Sequence, residues 1–190
     1  AQIALTQGPS LNAEQQQTVD AISTSMSHHQ IHLVHGVTGS GKTEIYLKLS
    51  EFVIAAGKQV LVLVPEISLT PQLTERFQQR FKQPVAILHS GMNDQQRLCA
   101  WHSAAIDHAK LIIGTRSAIF TNMPKLGLII VDEEHDGSYK QQDGFRYNAR
   151  DLALVRAHRE NIPVLLGSAT PSLESLRNAT LKRYHIHKLY

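Results

Sequence analysis

The chain has 190 residues, 42% of them hydrophobic and 18% charged, with a formal net charge of +3 and a single cysteine. That length and apolar fraction suit one domain with a sizeable core, and one cysteine excludes an internal disulfide or a cysteine zinc cluster within the chain. No run reaches the roughly 18 apolar residues of a membrane span and no charged-then-apolar signal segment opens the sequence, so a soluble protein of a reducing, cytoplasmic compartment is expected.

The mild basic excess permits a nucleic-acid partner without requiring one. The eleven histidines include His28, His29, His32, His35, His185 and His187. They form neither a helical H-x-x-x-H pair nor a cluster with carboxylates, so they read as surface and strand-edge residues rather than a metal site.

Residues 1–10 read as a linker or N-terminal arm, and residues 11–190 as one α/β lobe. Ser10-Leu11-Asn12 is a turn into a helix expected from about Ala13 to Met26, with Val19, Ala21, Ile22 and Met26 on one side. Gln15 near its start is a candidate adenine reader, because a side-chain amide both donates and accepts. Gln16 and Gln17 compete for that role, and a solvated glutamine face is the alternative.

Ile31 to His35 reads as a strand, and Gly36-Val37-Thr38-Gly39-Ser40-Gly41-Lys42-Thr43 follows it at the opening of a helix that stops at Gly57. The spacing G-x-x-x-x-G-K-T is that of a phosphate-binding loop. Its glycines permit backbone angles that turn successive N–H groups inward around an anion, and the helix directs its positive end to the same place. Lys42 supplies charge for the β- and γ-phosphates, and the Thr43 hydroxyl is the expected Mg²⁺ ligand.

Val60 to Val64 is an unbroken apolar run, which marks a strand covered on both faces and hence a parallel sheet flanked by helices. The marking recurs at 85–88, 111–113, 128–131 and 164–166, with helices expected at Pro71 to Phe81, about Asp94 to Ile106 and about Ala149 to Arg159. A further strand is expected from His185 to Leu189. This alternation predicts a three-layer, doubly wound sheet with ligands at the carboxyl ends of its strands. Asp136 to Asn148 shows no element.

The run ending at Val131 delivers Asp132-Glu133-Glu134-His135. Asp132 is the expected second Mg²⁺ residue, acting through a bound water, because Mg²⁺ takes few protein ligands. Glu133 stands as the group that orients water and accepts its proton, with Lys42 and His135 the other catalytic candidates. The strand at 164–166 ends in Gly167-Ser168-Ala169-Thr170, whose hydroxyls at Ser168 and Thr170 can couple the tetrad to departure of the γ-phosphate. Kinases lack such a tetrad followed by S-A-T, and a GTP switch would carry an N-K-x-D segment, which is absent. A DNA-binding module with a relic nucleotide loop is a third reading.

G-x-x-x-x-G-K-T, D-E-x-H and S-A-T in this order, with Gly114-Thr115-Arg116-Ser117 between them, resemble the first RecA-like lobe of a superfamily 2 helicase, here with ATP as the nucleotide. Gly39 to Tyr46, Val64 to Gln72, Leu88 to Gly91, Asp132 to Asp136 and Tyr147 to Leu152 are similar to the bacterial replication-restart helicases within that superfamily. Glu134 stands where the superfamily more often has alanine, which points away from its RNA-unwinding branches. The alternative is another superfamily 2 translocase or phosphate-loop module outside replication restart.

The resemblance assigns DNA contacts to Pro65, Glu66 and Ser68 and to Thr115, Arg116 and Ser117. On residue types alone these are equally helix N-caps. Within 136–148, Tyr139, Phe145 and Tyr147 interleave with Lys140 and Arg146, so the rings can stack on bases while the cations meet phosphates. The resemblance implies that such a loop links DNA occupancy to hydrolysis; the alternative is that its rings plug it onto the lobe or onto another domain. It also implies single-stranded and forked DNA as substrate, 3′-to-5′ movement, primosome proteins and single-strand-binding protein as partners, and a bacterial cytoplasmic location. A second motor lobe with an arginine reaching the γ-phosphate and zinc sites are expected elsewhere in a parent chain. Such an arginine is worth a thousand-fold or more in rate, roughly, so the lobe alone is expected to bind nucleotide but hydrolyse it poorly.

Overall fold

A computed structural model of the chain describes residues 10–81 and 84–190. The N-terminal arm, apart from Ser10, lies outside the described residues. In chain order the elements are α1 (Ala13–Ser23), β1 (Ile31–Gly36), α2 (Lys42–Ala55), β2 (Gln59–Leu63), α3 (Pro71–Phe81), β3 (Val85–Leu88), α4 (Asp94–Ala105), β4 (Leu111–Gly114), β5 (Leu126–Val131), β6 (Lys140–Gln141), β7 (Tyr147–Asn148), α5 (Ala149–Arg159), β8 (Val164–Ser168), α6 (Leu173–Thr180) and β9 (His185–Leu189). Seven strands form one parallel sheet in the order β3-β4-β2-β5-β8-β1-β9.

The unbroken apolar runs become the sheet interior. Every residue of β2, β4, β5 and β8 is buried, whereas β3, at one edge, alternates half-buried and buried residues. A strand with a neighbour on one side only is covered less completely, so its pattern loosens. Two apolar layers form, one on each face: Val34, Ile45, Leu49, Val62, Phe77 and Ile130 pack in one, and Leu33, Leu61, Ile112, Ile129, Ala153 and Leu166 in the other. This is the expected α/β architecture of a RecA-like lobe.

Three local expectations change. Helix α1 stops at Ser23 rather than Met26, and Ala21 is exposed while Thr18, Val19 and Ile22 are buried. Ser23 and Thr24 hydroxyls bond back to the carbonyls of Val19 and Ala21, competing with the helix for its last acceptors. Segment 136–148 carries a 3-10 turn at Gly137–Tyr139 and the antiparallel pair β6–β7. Helix α6 was not anticipated; its N-cap is Ser172, which accepts from the Ser175 N–H.

Candidate nucleotide site and its neighbouring surface

Sheet order determines the site. Strand β8 lies between β5 and β1, pairing His35 with Ser168 on one side and Val131 with Leu166 on the other. The ends of three adjacent strands therefore bring together the phosphate loop, the S-A-T segment and the acidic tetrad. This is the carboxyl edge of the sheet, where open α/β folds gather ligands.

Gly39 and Gly41 take φ of 85° and 88°, in the left-handed region that glycine enters without strain. Among the described residues, the N–H groups of Gly39, Gly41, Lys42 and Thr43 donate to no other residue. Ser40 Oγ is buried and also without a partner. Unused N–H donors at a helix N-terminus beside a buried, unpartnered hydroxyl fit an anion with several oxygens. Lys42 Nζ donates to the carbonyls of Gly36 at 2.7 Å and Val37 at 3.4 Å and stands 3.8 Å from Glu133 Oε1.

Gln15, and not Gln16 or Gln17, reaches this loop. Its Nε2 donates to Ser40 O at 3.0 Å, while its Oε1 accepts from the Asn12 N–H in a reciprocal cap of α1. A Cβ on Gly41 would overlap that amide. Gln16 instead donates to Asp20 on the helix surface.

In the tetrad, Asp132 Oδ1 accepts from the Tyr46 hydroxyl at 2.9 Å. Burial raises the Asp132 carboxyl above its ordinary range, and the Tyr46 hydrogen bond and the Lys42 charge oppose that rise. Glu133 has φ of 45°, a conformation that costs a non-glycine residue free energy and is found where surroundings enforce it. His135 Nδ1 is 2.7 Å from Ser168 Oγ and 3.7 Å from Glu133 Oε2, and its Nε2 is 3.2 Å from Thr170 Oγ1. The imidazole thus joins the tetrad to both S-A-T hydroxyls.

Glu134 faces away into the protein. It accepts from Arg150 Nη1 at 3.0 Å, the Ser172 N–H at 2.7 Å and the Ser175 hydroxyl at 3.0 Å. Burial works against the Arg150 charge, but hydrogen bonds to Glu174, Asp151 and Glu134 more than compensate and raise its pKa above the usual value. Arg150 and Tyr46 were not singled out as site residues from the sequence. The signals lay inside stretches already quoted: Tyr46 is one helical turn beyond Thr43, and Arg150 is the second residue of the helix after Tyr147.

The residues expected to meet DNA fall into two sets. Glu66, Thr115, Arg116, Ser117 and Tyr147 line one groove of about 170 Å³ with Ser90, Ser138 and Gln141. Lys140, Arg146 and Tyr147 line a wider depression of about 690 Å³ beside it. Phe145 is 77% exposed, and its ring lies 6.0 Å from that of Tyr147, which meets Phe120 edge-on at 4.9 Å. Phe120 is a further exposed ring that sequence reasoning did not select.

Several of these residues have structural work in place of, or beside, the expected contact. Tyr139 is only 1% exposed, and its hydroxyl donates to the carbonyls of Leu63 at 3.0 Å and Asp132 at 2.5 Å, so its ring is a core anchor and not a stacking surface. Pro65 and Thr115 are buried at the starts of 3-10 turns, and Thr70 caps α3 by accepting from the Leu73 N–H. Arg116 Nη1 donates to the carbonyls of Ser138 at 3.2 Å and Lys140 at 2.9 Å, holding the β6–β7 hairpin. Among the described residues, no helix is long and apolar enough to cross a membrane.

Comparison with known proteins agrees with this geometry. The model of the DEAD/DEAH box helicase family matches residues 12–179. The replication restart protein PriA of Haemophilus influenzae is 53% identical over 183 residues, 93% of this chain and 25% of the relative, and that of Bacillus subtilis is 46% identical over 94% of this chain and 22% of the relative. The chain thus spans about a quarter of the length of these relatives. Among solved structures, RecG bound to a three-way DNA junction superposes with a TM-score of 0.71 at 22% identity over 97% of this chain and 25% of that one. The Pyrococcus furiosus Hef helicase domain gives 0.62 at 23% identity over 90% of this chain and 37% of that one. These two likenesses show the fold, and the matched family model shows the kinship: the chain belongs to the DEAD/DEAH box helicase family.

Proposed function

We propose that the chain is the ATP-binding motor lobe of a DNA-dependent ATPase, a 3′-to-5′ DNA helicase that acts in replication restart. The observation that carries this reading is the His135 bridge. One imidazole contacts Ser168 and Thr170 while lying 3.7 Å from Glu133, so the γ-phosphate end of the site is wired to the segment that leads into α6. Kinship with DEAD/DEAH box helicases and the similarity to replication restart proteins support it.

In this reading the unused N–H groups of Gly39, Gly41, Lys42 and Thr43, with the Lys42 ammonium, hold the phosphate tail, and Thr43 and Asp132 hold Mg²⁺. The ion supplies charge neutralisation on the β- and γ-phosphates. Glu133 orients the attacking water and takes its proton, and Gln15 meets the adenine edge or, through Ser40, holds the phosphate loop in place. Single-stranded and forked DNA runs along the groove shared by Glu66, Arg116, Ser117 and the hairpin, with Phe145 and Tyr147 against bases and Lys140 and Arg146 against phosphates. A second motor lobe, zinc-bearing domains, primosome proteins and single-strand-binding protein complete the working assembly in the bacterial cytoplasm.

The test is ATP hydrolysis by the full-length protein with and without forked DNA, alongside nucleotide-analogue binding. Stimulation by DNA and loss of analogue binding in Lys42→Ala are expected. A rate indifferent to DNA would overturn the motor reading, and analogue binding that survives the Lys42 change would overturn the site.

A further inference from the structure

We infer that Tyr46 is a positioning residue for the metal-binding carboxylate: its hydroxyl fixes Asp132 so that Mg²⁺ is captured against the phosphate loop. The inference rests on the nucleotide reading above and adds to it a residue that no phosphate-loop or D-E-x-H pattern contains.

Tyr46 lies on α2, three residues after Thr43, so the two share one side of the helix a turn apart. Its side chain is 2% exposed and runs beneath the sheet's carboxyl edge to Asp132, to which the hydroxyl donates at 2.9 Å. Among the described residues this is the one side-chain hydrogen bond that the Asp132 carboxylate receives. On its other side the hydroxyl fills the space above Gly167 Cα, where any Cβ would collide with it. The phenol is thereby wedged between β5 and β8. It cannot swing away without displacing either the tetrad or the S-A-T strand.

The chemistry follows from this placement. A half-buried carboxylate can rotate about its terminal torsion, which is broad and roughly two-fold, so without a fixed donor its oxygens sample many directions. A neutral donor fixes that torsion without cancelling the charge, whereas a lysine or arginine in its place would compete with the cation. Groups that hold a metal ligand in this way typically change metal affinity ten- to a hundred-fold, roughly, when removed. The wedge also explains the residue type. Phenylalanine fills the same volume but lacks the donor, and a shorter hydroxyl side chain on α2 would not reach β5.

The experiment is a Mg²⁺ titration of ADP binding to the full-length protein, read by fluorescence of a labelled nucleotide, for the native chain, Tyr46→Phe, Asp132→Asn and the double variant. Expected is a rise of about tenfold in the Mg²⁺ needed for half-saturation in Tyr46→Phe, with metal-free ADP affinity within twofold of native. Asp132→Asn should show a larger shift, to which the second change adds nothing. Native Mg²⁺ dependence in a folded Tyr46→Phe protein overturns the inference. So does an equal loss of metal-free and metal-assisted affinity, which indicates packing alone. Should the phenylalanine variant not fold, 3-fluorotyrosine at position 46 reports on the native protein: its ¹⁹F resonance should move as Mg²⁺ is added to the ADP complex, and a fixed resonance counts against the role. Failure of the native protein to bind ADP at all would instead remove the nucleotide reading.

Discussion

The nucleotide end of the sheet and the β6–β7 hairpin belong to one continuous surface but are built on opposite plans. At the nucleotide end the functional side chains hold one another: Tyr46 holds Asp132, His135 joins Ser168 and Thr170, and Arg150 and Ser175 hold Glu134. On the hairpin the ring of Phe145 is exposed, as is that of Phe120 in the turn beside it, and the side chains of Arg116, Gln141 and Arg146 secure the segment through its backbone carbonyls. The difference teaches which part is set in advance and which waits for a partner. On the proposed reading, chemistry needs fixed distances, so its groups are cross-linked, whereas a sensor needs to change on contact, so its rings stand exposed. Tyr139 connects the plans, since it belongs to the hairpin segment by sequence and to the tetrad by its hydrogen bonds.

Removing the chemistry should break the comparison at its stronger side. Glu133→Gln in the full-length protein is expected to lower DNA-stimulated ATP hydrolysis by about a hundred-fold or more while nucleotide affinity stays within a few-fold, measured by steady-state turnover and equilibrium binding. The cross-links themselves are next. Arg150→Ala leaves Glu134 buried without its cation and should cost about 3–5 kcal/mol of stability in chemical denaturation. Glu134→Ala should cost less, because Arg150 retains Asp151 and Glu174. Equal losses would mean that the pair is not the asymmetric anchor described.

A third test separates fold stability from site function by using a histidine cluster, shared by β1 and β9, that belongs to neither the nucleotide end nor the hairpin. His32 is buried against Ser25 and His187, and burial, with neighbouring histidines, lowers its pKa to about 3; the same causes lower His187 to about 4. Between these values and the ordinary 6.5, the unfolded chain binds protons that the folded chain refuses, so stability is lost as pH falls through that window and levels off below it. From pH 6.5 to 5 the loss from His32 alone is expected to be about 2 kcal/mol, checked by denaturation at both pH values, and His32→Gln should flatten the slope. The smallest effect sharpens the hairpin side. Phe145→Ala should reduce DNA stimulation about tenfold and leave DNA-independent hydrolysis unchanged, since stacking on one base is worth about 1–3 kcal/mol. Intact stimulation would assign sensing elsewhere.

What the sequence made legible follows from how local each signal is. Continuous apolar runs gave β2, β4, β5 and β8 because a strand covered on both faces needs no partner to be recognised, and G-x-x-x-x-G-K-T gave the loop because its anion site is built from consecutive backbone groups. Strand order was not legible: nothing in Val164 to Ser168 says that it will separate β1 from β5. Tyr139 was misread because an aromatic beside a lysine looks alike whether the ring turns out or in. Tyr46 and Arg150 escaped for the converse reason, as their partners, Asp132 and Glu134, lie far along the chain. Short polar β6 and β7 carry no periodicity at all, and only their pairing makes them strands.

Strand β1, which carries the phosphate loop, is flanked solely by β8 and β9 in the sheet. Both are made long after β1 has left the ribosome, and Leu189 ends opposite Gly36 at the loop's first residue. The first strand of the sheet is therefore flanked only by its last two, and the loop it carries is bedded by segments from the far end of the chain.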